Sequence, residues 1–333
     1  MRVYIDQSNL LSFIRSKEHP LFDDCLRMLK SQCDLFFNFS KKDMVSNEVL
    51  RTILQSLSSG TKDSPKPEFT QEVFPTREVF PPRPLKSNFH TDIKDRRDLT
   101  AAYLLDDEKI QAAKEKGYIL IGGLGEEIDT LSKLFYKDYQ FSKSFVPKRD
   151  MPNWSALDKT VLPCTDIILV DRYVFSDDSL LDYNLHSFLS ELGGKNQGKK
   201  INLVIFTQVG KNSPPDYWKK LKSGIKAHLQ KVYNATSNVT IVALWHVKEH
   251  DRTIFANYNN SYSGDSLNYY NSKWEVITKG RNYTAHSHGL RENLDNGFYF
   301  LDDMQAVLNG LTSQKDQECI IGDKKSNFLT FPD

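Results

Sequence analysis

The residues with the most chemical capability gather where an apolar run ends. Residues 239–247, Val-Thr-Ile-Val-Ala-Leu-Trp-His-Val, lead into Lys248-Glu249-His250-Asp251-Arg252, and the chain then returns to Thr-Ile-Phe-Ala-Asn257. The His250 imidazole can act as nucleophile or proton carrier, and the Arg252 guanidinium can clamp a phosphate with its planar fork of N–H groups. The neutral Asn257 carboxamide cannot supply the charge that would support an imidazolium. Further on, residues 269–286 interleave Tyr, Trp, Lys279, Arg281 and Asn282. Cations hold phosphates and rings stack on bases, although a half-exposed strand needs the same alternation. His246 and His250 flank Glu249 at a four-residue spacing, but at a strand end and not on a helix, so no metal is assigned to them. The plain structural alternative is an Asp251–Arg252 ion pair at a strand junction, with His250 on a backbone carbonyl.

Two other places hold suggestive chemistry. Asp6 closes the short run Arg2-Val-Tyr-Ile and precedes a helix-like segment. Converging carboxylates hold Mg²⁺ or Mn²⁺ because hard cations take oxygen ligands, and Glu48, Asp95 and Asp98 are available partners. This arrangement resembles metal-dependent PIN-like nucleases; the alternative is a capping role for Asp6. Gly122-Gly123-Leu124-Gly125 could cradle a phosphate at a helix start, but Glu126-Glu127 would repel an anion there and suits the helix dipole instead. That turn is read as structural.

The elements that must position these residues follow from periodicity. Residues 2–5 and 33–39 suit strands, and apolar positions 22, 25, 26, 29 and 49, 50, 53, 54, 57 mark two helices. Residues 58–90 hold six prolines and read as an extended surface crossing, because proline removes a donor and fixes φ. A helix near 106–116 and a strand at 118–122 follow. From 163 the order is regular: strand 165–171, helix with 181, 185, 188, 189 and 192 inward, strand 201–207, helix with 218, 221, 225, 229 and 232 inward, strand 239–245. Two βαβ crossovers with near-continuous apolar strands predict adjacent parallel strands covered on both faces. Ligands then bind beyond the carboxyl ends, where Asp171, Arg172, Thr207, Gln208 and residues 246–252 lie.

His250-x-Arg252-x4-Asn257 has the spacing of the phospholipase-D signature, with Arg for Lys and Asn for Asp. The strand–helix order over residues 160–310 also resembles that family, as does the Gly280-Arg281-Asn282 turn after a further strand. The likeness is closest to the non-catalytic phospholipase-D-like domains that follow MIT domains. It implies a mainly parallel α/β sheet with helices on both faces, joined to a smaller N-terminal α/β module. In active members the His attacks phosphorus, the Lys neutralises the phosphoryl oxygens and a second motif supplies the acid. With one motif per chain, the resemblance implies a homodimer or help from His286 or His288. It assigns His250, Arg252 and Asn257 to catalysis, and Asp171, Arg172, Lys279, Arg281 and Asn282 to phosphate binding.

Composition bounds the reading. Forty-four Lys and Arg against 43 Asp and Glu leave no global attraction to nucleic acid or membrane, so a basic surface must be local. No run approaches a membrane span and Met1–Asp6 lacks a signal-peptide core, which predicts a cytoplasmic protein. Four scattered cysteines predict neither a disulfide framework nor a zinc site. The expected organisation is an N-terminal module at 1–57, a crossing at 58–98 and a phospholipase-D-like domain with an N-terminal extension at 99–333. The expected function is recognition of phosphate or nucleic acid without cofactor, in a bacterial antiviral defence or mobile-element setting. The alternatives are a nuclease or phosphodiesterase, using His250 across a dimer or Asp6 with metal, and a non-catalytic scaffold subunit of a larger complex.

Overall fold

The computed structural model describes residues 1–37, 39, 41–58, 68–69, 100–104, 118–120, 128–135, 140–193, 196–209, 214–245, 247, 252–278, 281–313 and 317–332. The fold is α/β and contains two sheets. The first is parallel throughout and has the order β3-β2-β1-β4-β5, from β1 (Arg2–Ile5), β2 (Asp34–Phe37), β3 (Glu68–Phe69), β4 (Ala102–Leu104) and β5 (Ile119–Leu120). Helices α1 (Gln7–Arg15), α2 (Phe22–Ser31), α3 (Lys41–Ser46) and α4 (Glu48–Ser58) lie between its early strands. In α2, Asp23 and Asp24 occupy the first turn and Lys30 the last, matching the helix dipole, while Cys25, Met28 and Leu29 are buried. In α4, Leu50 and Leu57 are buried, but Val49 points outward. The sheet reaches past the expected module: the proline-rich segment contributes β3, and β4 and β5 follow it.

The second sheet has the order β13-β9-β8-β7-β10-β11-β12-β6. Its strands are β6 (Ser142–Phe145), β7 (Asp166–Val170), β8 (Asn202–Gln208), β9 (Asn238–Leu244), β10 (Arg252–Ala256), β11 (Asn259–Ser263), β12 (Tyr283–Ser287) and β13 (Ile320–Gly322). The helices are α5 (Ile128–Phe135), α6 (Pro147–Asp150), α7 (Ser187–Gly193), α8 (Pro215–Tyr233) and α9 (Arg291–Asn309). As the sequence predicts, β7, β8 and β9 are adjacent and parallel. Helix α8 shows why the crossover forms. Proline opens it, where no N–H is needed, and Asn234 ends it with φ of 50°. Trp218, Leu221, Ile225, Leu229 and Tyr233 are buried along one stripe.

The expectation of a mainly parallel sheet is corrected beyond these three strands. Every other pairing is antiparallel: β7–β10, β10–β11, β11–β12, β12–β6 and β9–β13. The residues between Leu244 and Arg252 are too few for the crossover of a dozen or more that a parallel return requires. Asn257-Tyr258 then joins β10 and β11 as a two-residue hairpin loop, which admits only antiparallel pairing. The strand expected just before Lys279 is absent among the described residues; that stretch shows only an isolated bridge between Tyr270 and Val276.

Both faces of the central strands are covered. Ile168, Val170, Val204, Phe206, Val242 and Phe255 share one core with α9 and the first sheet. Ile167, Leu169, Leu203, Ile205, Ile241 and Ile254 share the other with α7 and α8. Alternate residues of each strand thus enter different cores, which explains the unbroken apolar runs.

Candidate functional site

Five strand ends line up along one edge of the second sheet. The register sets Phe206 against Val170, Val170 against Thr253, Arg252 against Ser263 and Ser263 against Tyr283. Because β10 and β12 run against β7, the starts of β10 and β12 sit beside the carboxyl ends of β7, β8 and β11. This edge carries Asp171, Arg252, Gly264 and Arg281.

Asp171 organises the edge from beneath. Its buried carboxylate accepts from the backbone N–H of Tyr173 at 2.9 Å and of Leu267 at 2.7 Å. It also accepts from Ser266 Oγ, at 2.9 and 2.7 Å to the two oxygens. One side chain therefore fixes both the turn after β7 and the loop after β11. Burial pushes the Asp171 carboxyl up, against these hydrogen bonds and the charge of Arg252, which favour the ionised form.

Above it lies an open cleft of about 400 Å³, lined by Arg252, Arg281, Asp265, Ser266, Asn268 and Thr278 together with Gly264 and Ile277. Arg252 Nη1 and Arg281 Nη1 each donate to the Gly264 carbonyl, both at 3.3 Å. Two cationic groups thus converge on one neutral oxygen. The Arg252 guanidinium also lies over the Tyr173 ring, 5.8 Å from its centroid. The Arg281 stem packs on Gly264, where an added Cβ would stand 2.6 Å from its Cδ. Asp265 lines the same cleft and opposes an anion; its carboxylate accepts from the Thr278 hydroxyl.

The residues named from sequence divide between two ends of the sheet. Arg252 and Arg281 line the cleft, and Asp171 holds Ser266 in its wall. Arg172 follows Asp171, and its carbonyl accepts from Thr207 Oγ1 at 3.4 Å. Asn282 is exposed beside the cleft, and its carbonyl accepts from Gly264 N at 3.5 Å. Lys279 and His250 lie outside the described residues. Asn257 is not brought to Arg252: it sits buried at the opposite end of β10, its Oδ1 accepting from the N–H groups of Thr165 and Asp166 at 2.9 and 3.1 Å. An extended strand separates residues five apart by roughly 17 Å. His286 and His288 also lie at that far end, since Ser287 pairs with Asn259. His286 contacts Ser142 Oγ at 2.8 Å, and fully buried His288 contacts the Asn257 carbonyl at 2.9 Å. Burial pushes the His288 imidazole down to about 3, so it stays neutral and serves packing. Sequence reasoning missed the loop Gly264–Asn268. Its signal was Gly264-Asp265-Ser266, small polar residues closing a strand.

Asp6 is buried at the carboxyl end of β1, and its N–H donates to Leu104 O at 2.8 Å. It lies where the strand order reverses between β1 and β4. Among the described residues no group of three or more His, Cys, Asp or Glu could hold a metal. Glu48 is exposed at the start of α4, while Asp95 and Asp98 lie outside the described residues, as does the turn at 122–125.

No family model matches the chain, and no curated protein matches it. Among solved structures it is similar to TrmBL2, an archaeal chromatin protein described as showing a novel mode of DNA binding. The two share 12% identity over 78% of this chain and 80% of that one, with a TM-score of 0.28, a likeness too slight to carry an argument. No described helix is long and apolar enough to cross a membrane.

Proposed function

We propose that the chain recognises nucleic acid through its phosphates, held between Arg252 and Arg281 at the edge of the second sheet. The observation that carries this reading is the convergence of two guanidinium groups on the Gly264 carbonyl at the mouth of an open cleft. Arg is suited to phosphate because its fork matches two oxygens at once. The hydroxyls of Ser266 and Thr278 add polar groups to the same cleft. The reading does not require the phospholipase-D reaction, because Asn257 and the 286–288 histidines stand at the other end of the sheet. Binding of a fluorescein-labelled oligonucleotide to wild type and to Arg281→Ala tests it. The variant should bind more weakly for every sequence tried; equal affinity in the two proteins contradicts the reading.

A metal-dependent nuclease in the N-terminal half is the second reading, favoured by the position of Asp6. Parallel sheets bind ligands where strand order reverses, beyond the carboxyl ends, and Asp6 occupies that point. Cleavage of an oligonucleotide in Mn²⁺ that disappears in Asp6→Asn supports it. Cleavage that is absent, or unchanged in the variant, removes it.

A further inference from the structure

We infer that the nucleic acid taken at this edge is single-stranded, with bases stacked on Tyr173 and Trp245 beside the arginine cleft; the inference rests on the phosphate-recognition reading above. Trp245 follows β9 directly and is 79% exposed, and Tyr173, in the turn after β7, is 47% exposed. Ile277, 49% exposed, lines the cleft itself. Scattered exposed apolar residues need no explanation, but these three share one edge with the two arginines. Exposed Trp274, by contrast, packs against Tyr183 and Tyr270 and is explained by those contacts.

The order of the strands turns this into a layout. Along the edge come Trp245 after β9, Gln208 at the end of β8, Tyr173 after β7, Arg252 on β10, Gly264 after β11 and Arg281 before β12. Neighbouring strands are about 4.8 Å apart, so the row spans roughly 24 Å. Aromatic platforms occupy one half and guanidinium groups the other. Tyr173 is held as a platform: its N–H is fixed by Asp171, and Arg252 lies over the ring. Rings beside a cationic groove are what an unpaired strand requires, because its bases have free faces. In a duplex those faces are stacked on one another, and only the phosphates remain for the arginines.

The probes are labelled oligothymidylate of about 15 nucleotides, within the span such sites cover, and an oligo(dA)·oligo(dT) duplex of equal length, both titrated at one fixed salt concentration. Wild type should prefer the single strand. Trp245→Ala should weaken single-strand binding by about 10- to 100-fold, the range of one lost stacked base, with duplex binding within twofold of wild type, and Tyr173→Ala, which also removes the ring beneath Arg252, should weaken the single strand more than the duplex. Tyr173→Phe should restore binding, and Trp245 emission should be quenched by the oligonucleotide in wild type but not contribute in Trp245→Phe. If Arg252→Ala and Arg281→Ala weaken both probes while the aromatic variants change neither, phosphate recognition stands and this inference falls. A preference for duplex overturns it too, and absence of binding to either probe at low salt overturns both.

Discussion

Gly264 decides where two charges meet. Its carbonyl takes a bond from each arginine, and its bare Cα lets the Arg281 stem lie against the backbone. Gly264→Ala should therefore push Arg281 out of the cleft and weaken oligonucleotide binding as Arg281→Ala does, without any change in net charge. Binding at wild-type strength in Gly264→Ala would show that this placement is irrelevant. At the far end of β7, fully buried Asp166 accepts from Asn202 Nδ2, Ser326 Oγ and the Asn327 N–H and Nδ2 groups, tying the C-terminal segment to the sheet. Burial outweighs these bonds and pushes its carboxyl up to about 6. A raised carboxyl contributes stability that is present below the unfolded value near 4 and lost as pH rises through about 6. The wild-type advantage over Asp166→Asn in urea melts should shrink between pH 4 and 7 by up to about 3 kcal/mol; an advantage that stays flat or grows contradicts this. The subtraction matters because His288 has the opposite slope, losing its contribution as pH falls from 6.5 towards 3. Asp171 and Arg252 were legible as charged residues where the apolar runs of β7 and β9 give out, whereas Arg281 was named from a strand that does not form among the described residues. Asn257 was misleading because a signature spacing says nothing about which residues an extended strand holds apart.

Elements were legible where burial imposed a period. The stripe on the helical stretch 181–192 predicted which residues are buried, although it contains a π-helical turn at Asp182–His186, and the stripe on α8 did so except at its end, where Tyr233 is buried and Val232 only partly. There Asn184 is buried and bonds the Leu180 and Tyr270 carbonyls, a tertiary demand that local spacing does not reveal. The antiparallel half was illegible for a related reason: β10 and β11 read as one polar-apolar stretch until Asn257-Tyr258 is known to be a turn. Helix α9 was given no element from sequence, and Gly297 lies near its centre, where glycine costs about 1 kcal/mol. The structure supplies the compensation. A Cβ at 297 would stand 2.7 Å from Asn260 Nδ2 and 3.0 Å from His288 Nε2, so the helix approaches β11 only through glycine. Gly297→Ala should accordingly destabilise by about 1–3 kcal/mol in thermal or urea melts, despite alanine's better helix propensity. A more stable variant would mean that α9 does not sit this close to the sheet.

At the scale of the molecule, the two sheets meet back to front. The Tyr258 hydroxyl, in the β10–β11 turn, donates to Ala101 O at 2.7 Å and accepts from Ile119 N at 3.1 Å, at the entry to β4 and β5. Arg291 of α9 reaches Asp34 at 2.7 Å, at the start of β2. The junction thus takes the amino ends of the first sheet and the Asn257 end of the second. Both carboxyl edges, with Asp6 on one and the arginine cleft on the other, point away from it. A domain boundary was expected at 99 because proline-rich sequence suggests separation; the first sheet instead gathers strands from both sides of that stretch, through pairings too short to leave a period. Phosphate held by Arg252 and Arg281 is tested most directly by the salt dependence of single-strand binding in wild type and in the Arg252→Ala/Arg281→Ala double variant. Loss of two phosphate contacts should lower the magnitude of the slope of log affinity against log salt by roughly 1.4, alongside weaker binding at every salt concentration. Identical slopes and affinities in the two proteins would contradict the account.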